Sequence, residues 1–247
     1  MIIDDIREHL ISRFPEQRVA DVRMGLGYTA VMLEDGNAGV AYTFREDAPA
    51  GCSVFAGRRP LAGRTTTELL EYLGSKEALE STVGLAVVNA LANRHGPGQQ
   101  EADILDTLSV GFMDRVGMVG YFGPLVGPLE KRVRELVIFE RNAARSDRVL
   151  PAEEAYAELP GCEVAVITAT ALIPGNLDRL IEAASGCREV AVVGASTPLL
   201  PEVFGPLGVT LLSGITVNDP HAVLQIVSEG GGMGMFGKRV QKVNMRL

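Results

Sequence analysis

The sequence predicts an α/β protein in two parts, a small α+β unit followed by a Rossmann-like parallel sheet. Three observations lead there. The chain has 247 residues, 47% of them hydrophobic and 22% charged, a balance that can bury a core without disulfide or metal staples. Its first part mixes helical spacing with hairpin-like runs. From about residue 101 the apolar residues come as continuous Val/Ile runs separated by helical stretches, the pattern of a parallel sheet covered on both faces. His95-Gly96-Pro97-Gly98 lies between and breaks any helix, which gives expected domains of 1–98 and 101–247.

The elements follow in order. Ile2, Ile3, Ile6, Leu10 and Ile11 recur at helical spacing and predict a helix over 1–15. RVADVRMGLGYTAVML and GVAYTF read as two strand-like runs, and Glu34-Asp35-Gly36-Asn37 between them is a hairpin signal. Thr65 to Thr67 can cap a helix carrying Leu69, Leu70 and Leu73. Ser75 can cap the next, from about Glu77 to Arg94, with Leu79, Val83, Val87, Ala90 and Leu91 on its apolar stripe. Beyond the break, VGMVGYF, ELVIFE, EVAVITATALI, EVAVVGAS and VTLLSGITV predict five parallel strands in a Rossmann-like order. PLVGPLEKRV, NLDRLIEAAS, a Pro-rich turn of helix beginning near Pro198, and DPHAVLQIVSE read as the intervening helices.

Composition excludes several classes. The net charge is −8 and Trp is absent, which leaves no basic footprint for nucleic acid and a poor base-stacking surface. No apolar run is long enough for a membrane span, and MIIDDIREHL lacks the character of a signal peptide. Cys52, Cys162 and Cys187 are an odd set without a C-x-x-C, so reduced thiols and a cytoplasmic location are expected. His9, His95 and His221 are scattered, and neither H-E-x-x-H nor G-x-S-x-G occurs. Any metal should therefore bind the isolated chain weakly, through oxygen ligands or a chelating molecule.

Candidate site residues gather at predicted strand ends, where open parallel sheets bind ligands. Gly117, Gly120 and Gly123 flank Tyr121 and Phe122, and Glu140 ends the next strand, where an acid can accept from ribose hydroxyls. The glycine spacing is G-x-x-G-x-x-G, however, and a tight turn beside a solvated carboxylate is the plainer reading. Thr168, Thr170 and Asn176 follow the third strand. Gly194, Ser196 and Thr197 follow the fourth. Hydroxyls there suit an anion, although Asn176 and Thr197 are equally explained as N-caps. Gly214 is placed at the end of the fifth. Glu229-Gly230-Gly231-Gly232-Met233-Gly234 combines a helix C-cap at Gly230 with surplus glycines that could form a flap over a ligand or a hinge. Asn89, on an otherwise apolar helix, either ties that helix down or points across the interface toward a ligand.

Taken together, ESTVGLAVVNAL, VGMVGYFGPLV with ELVIFE, VITATALI, VVGASTPLLPEVF, LLSGITV and EGGG resemble the "putative heavy-metal chelation" family of proteins of unknown function. The resemblance covers nearly the whole chain. It implies an enolase-N-terminal-like domain, then a Rossmann-like domain, with a cleft between them as the active or chelation site. Carried onto this sequence, it picks out Asn89, Gly120, Tyr121, Phe122, Glu140, Thr168, Thr170, Gly194, Ser196, Thr197 and Gly214. Ala195 stands where the family pattern has proline, and Pro174-Gly175-Asn176 where it has Asn-Gly-Thr.

The resulting expectation is a protein that binds a small anionic or metal-chelating ligand in an interdomain cleft, with a role in metal handling or metallocofactor metabolism. The cofactor is left open between a metal ion and a chelating small molecule, and a homodimer is admitted. Two alternatives remain: an enzyme with a nucleotide-type cofactor on the sheet, and a non-catalytic binding or assembly protein. The sharpest expectation is a pocket lined jointly by Asn89, Tyr121, Glu140, Thr170 and Ser196, with Gly230 and Gly231 above it.

Overall fold

A computed structural model describes residues 1–142 and 149–247. Helix α1 (Ile2–Arg13) buries Ile2, Ile3, Ile6 and Leu10 along one stripe. Strands β1 (Val19–Met24), β2 (Tyr28–Leu33) and β3 (Ala38–Tyr42) form an antiparallel sheet in that order. The run expected as one strand is thus two. Gly25-Leu26-Gly27 turns the chain, with the Gly25 N–H donating to Tyr28 O at 2.9 Å. The Asp35-Gly36 turn falls where expected, with Gly36 at φ +86°, a conformation glycine adopts without strain.

Helix α2 (Thr66–Leu70) begins with a complete capping box, Thr65 and Glu68 each accepting the other's backbone N–H. Helix α3 (Ala78–Ala92) has Glu77 rather than Ser75 at its N-cap. Ser75 acts from two residues upstream, accepting from Glu77 N and donating to Glu80. The expected single stripe is also too narrow, since twelve of the 15 residues of α3 are buried. One side packs on β2 and β3 so closely that a Cβ on Gly39 would lie 2.1 Å from Ala90 N. Other residues of α3 face the second half of the chain.

That half contains α4 (Ile104–Thr107), β4 (Arg115–Val119), α5 (Gly123–Glu130), β5 (Glu135–Glu140), β6 (Val149–Pro151), α6 (Ala155–Glu158), β7 (Val164–Thr168), α7 (Leu177–Ala183), β8 (Glu189–Val193), α8 (Pro201–Phe204), β9 (Leu211–Val217), α9 (Pro220–Ser228), α10 (Met233–Phe236) and β10 (Val240–Arg246). Its seven-stranded sheet has the order β10-β9-β8-β7-β4-β5-β6. All neighbours are parallel except β10, which runs antiparallel to β9. The parallel strands therefore follow the order 3-2-1-4-5-6, and direction reverses between β4 and β7, the point where such sheets form a crevice.

The five expected strands are all present, joined by two that were not expected. β6 is three residues long, and β10 is an edge strand that buries Val240, Val243 and Asn244. The helix expected near Pro198 begins at Pro201. One buried apolar cluster runs from Ile2 through α3 to Val243, so the core is continuous across both halves. No helix among the described residues is long and apolar enough to cross a membrane.

Candidate functional site

The reversal point between β4 and β7 opens into a cleft of about 740 Å³. Its floor is the C-terminal edge of the sheet. Gly120, at φ +93°, turns the chain out of β4, and a Cβ there would press on Thr168 at 3.0 Å. Thr168 and Thr170 hold each other, Oγ1 to Oγ1, at 2.8 Å. Gly194, at φ +118°, leads from β8 to Ala195 and Ser196.

The opposite wall comes from the N-terminal half. Tyr28, Tyr42 and Phe44 face the cleft and stack edge to face, with Tyr28–Tyr42 centroids 6.0 Å apart and Tyr42–Phe44 centroids 5.0 Å apart. Phe236 supports Tyr28 from behind at 5.6 Å. Burial, and then the neighbouring Tyr42, push the Tyr28 phenol up to about 12, so it stays a neutral hydroxyl. The wall is tied to the sheet at two places. Ser196 Oγ accepts the Tyr42 N–H at 2.9 Å. The Arg141 guanidinium grips Asp47 through two bonds of 2.9 and 3.0 Å and lies 4.7 Å from the Phe44 ring centroid.

The expected residues divide into two groups. Gly120, Tyr121, Phe122, Glu140, Thr168, Thr170, Gly194 and Ser196 all line the cleft. Asn89, Thr197, Gly214, Gly230 and Gly231 do not. Asn89 is 1% exposed and lies behind the wall, its Nδ2 donating to Val40 O at 2.8 Å and Ser196 O at 3.1 Å. It holds Ser196 in place and does not reach the cleft. Thr197 is fully buried and caps nothing. Gly214 lies beneath the β8 loop, where a Cβ would stand 3.0 Å from Thr197 O.

The glycine run is no flap over the cleft. Gly230 ends α9 at φ +78°, with Gly231 N bonded to Ile226 O. Gly232 then packs on the Tyr28 ring, and Phe236 anchors α10 with no exposure. Asn176, expected as an N-cap, makes no capping bond. It lines the cleft and donates to Tyr156 Oη at 3.4 Å.

Sequence reasoning missed the aromatic wall, Arg45 and Arg141. It also missed Asn93, whose Nδ2 donates to Thr197 O and Ile215 O while its Oδ1 accepts from Leu199 N. The signal for Asn93 was present, because it lies one helical turn beyond Asn89 on the same face.

The cleft is poorly suited to a bare soft metal ion. Its carboxylates are Glu46 and Glu140. Among the described residues no group of three or more His, Cys, Asp and Glu could hold a metal. Glu140 is already engaged, with Oε2 accepting Tyr121 N at 2.9 Å and Oε1 accepting Arg141 N at 2.8 Å. That arrangement stabilises the glycine turn and weighs against a dedicated ribose ligand. Arg45 lines the cleft without an ion pair among the described residues. What remains is a set of neutral hydroxyls, aromatic faces and one uncommitted cation.

Comparison with known proteins agrees with this architecture. Two family models match, both described as "Putative heavy-metal chelation": DUF4213 over residues 7–92 and DUF364 over residues 103–246. An uncharacterized protein of Methanocaldococcus jannaschii is 25% identical across 100% of this chain and 98% of its own. A DUF364 protein of unknown function from Pyrococcus horikoshii superposes with a TM-score of 0.88 at 22% identity, covering 100% of both chains. Another, from Desulfitobacterium hafniense, gives 0.81 at 25% identity over 99% of this chain and 98% of that one.

Proposed function

Because the chain belongs to the DUF364 family, described as "Putative heavy-metal chelation", we propose that it binds a small metal-chelating organic molecule, with or without its metal, in the cleft between its two halves. One observation carries the reading. The cleft brings the Thr168–Thr170 hydroxyl pair and Ser196 of the sheet edge together with Tyr42, Phe44 and Arg45 of the N-terminal half. Such a lining suits the polar edge and apolar frame of an organic chelator, whereas a bare ion would need convergent donors. Metal then enters as cargo of the bound molecule.

The test is to purify the protein without added ligand, denature it, and analyse the released fraction by mass spectrometry and elemental analysis. An organic molecule should be released from wild type and fall at least tenfold in Thr170→Val, with any metal falling in parallel. Adenine absorbance in the released fraction, or equal occupancy in Thr170→Val, would overturn the proposal.

A further inference from the structure

The opposite edge of the large sheet carries two thiols that the cleft does not use. Cys162 and Cys187 each lie two residues before a strand, β7 and β8 respectively. These strands are parallel neighbours, with Val164 beside Glu189. The ladder continues one step outward, Arg188 N donating to Glu163 O at 2.8 Å. One further step brings Cys162 level with Cys187. Both sulfurs also turn onto the same short stretch of backbone. Cys162 Sγ donates to Glu158 O at 3.5 Å, and Cys187 Sγ to the adjacent Leu159 O at 3.6 Å.

We infer that Cys162 and Cys187 form a two-coordinate site for a single soft monovalent cation of the Cu(I) type, separate from the cleft and independent of what the cleft binds. Dimensions support the assignment. Neighbouring strands lie about 4.8 Å apart, so side chains level with each other on adjacent strands can share one ion. Two thiolates in a line satisfy Cu(I), whereas zinc requires four ligands, and among the described residues no group of three or more His, Cys, Asp and Glu could supply them.

Binding changes the charge of this corner. It releases both thiol protons: two S–H groups and Cu⁺ give an [S–Cu–S]⁻ unit and two H⁺. The Nη1 of Arg115 stands 3.9 Å from Cys162 Sγ and faces that charge, while its guanidinium also pairs with Glu135 and Glu158, and these carboxylates and Glu163 act against it. Burial raises both thiols, Cys187 to about 11, so at neutral pH both carry their protons and are poor nucleophiles. Cys187 is half-buried and provides the entry, while Cys162 is 5% exposed.

The probe is Cu(I) under anaerobic conditions, in competition with a coloured Cu(I) chelator that does not titrate near neutrality. The full chain is used as Cys52→Ser, because Cys52 is exposed and would add a lone thiol. This protein should withdraw one equivalent of Cu(I), and its apparent affinity should rise about 100-fold per pH unit, the signature of two displaced protons. Cys52→Ser/Cys187→Ser should lose at least 100-fold in affinity while keeping its circular dichroism spectrum. Cys52→Ser/Thr170→Val should bind as tightly as the parent. A pH slope near tenfold, no uptake by the Cys52→Ser parent, retention by the Cys187→Ser variant, or loss in the Thr170→Val variant would each overturn the inference. The pH slope is read on the parent, so it stands even if a buried substitution fails to fold.

Discussion

Ser196 separates two polar neighbourhoods built from the same residue types. On its buried side, Asn89 and Asn93 of α3 reach across to the loop after β8. On its open side, Thr168 and Thr170 face the cleft from the end of β7. The two sides differ in how fully their bonds are made. Asn93 has both amide hydrogens donated and its oxygen accepting. Thr168 and Thr170 share one hydrogen between their hydroxyls, which leaves the other free for a ligand. Polar residues near a strand end therefore do not by themselves mark a binding site. The useful distinction is between side chains saturated by the protein and side chains left with capacity facing a cavity.

The largest expected effect tests the buried side. Asn93→Ala strands three buried backbone groups at once and should cost about 4 kcal/mol, read as a lower urea midpoint with unchanged slope. A loss below about 1 kcal/mol would mean that this seam does not hold the halves together. Asn89→Ala should cost less, about 1–2 kcal/mol, because it frees Val40 O and Ser196 O but also removes an oxygen that has no partner of its own. If it instead abolished ligand binding at unchanged stability, Asn89 would belong with the open side.

Thr170→Val should reverse that pattern, with stability within about 0.5 kcal/mol of wild type and at least a tenfold loss of the co-purifying molecule. A melting temperature that falls as far as in Asn93→Ala would place Thr170 among the structural residues. The smallest effect concerns the aromatic wall. Tyr28 should ionise only near pH 12. The folded state then holds a proton that the unfolded chain, with an ordinary tyrosine value of about 10, has released. Stability should fall as pH rises from about 10 through 12. Tyr28→Phe should remove the late absorbance step, and an early step lost instead would show that the phenol is well solvated.

Much of this was legible locally. Thr65 and Glu68 announce the capping box of α2, and Asp35-Gly36 announces the β2–β3 turn. Continuous Val/Ile runs announce the five long parallel strands, and the glycines and hydroxyls at their ends mark the cleft floor. What was not legible depends on partners distant in sequence. β10 reads VQKVNMR, too polar to stand out, and becomes a strand because β9 offers it an edge. Tyr42 and Phe44 look like ordinary hairpin aromatics until the fold sets them opposite Thr170. The glycine run suggested mobility because sequence does not reveal that Tyr28 and Ile226 fill the space beside it.

The uninterrupted apolar cluster from Ile2 to Val243 has a consequence for how the molecule comes apart. Two family models divide the chain at residues 92 and 103, as though its parts were separable modules. Yet α3 is buried on nearly every side, and either half alone would leave much of that helix or its mate in water. The melting of one half removes the cover of the other. Heat or urea should therefore meet a single cooperative unit, with the cleft and the Ser196 seam vanishing in the same transition.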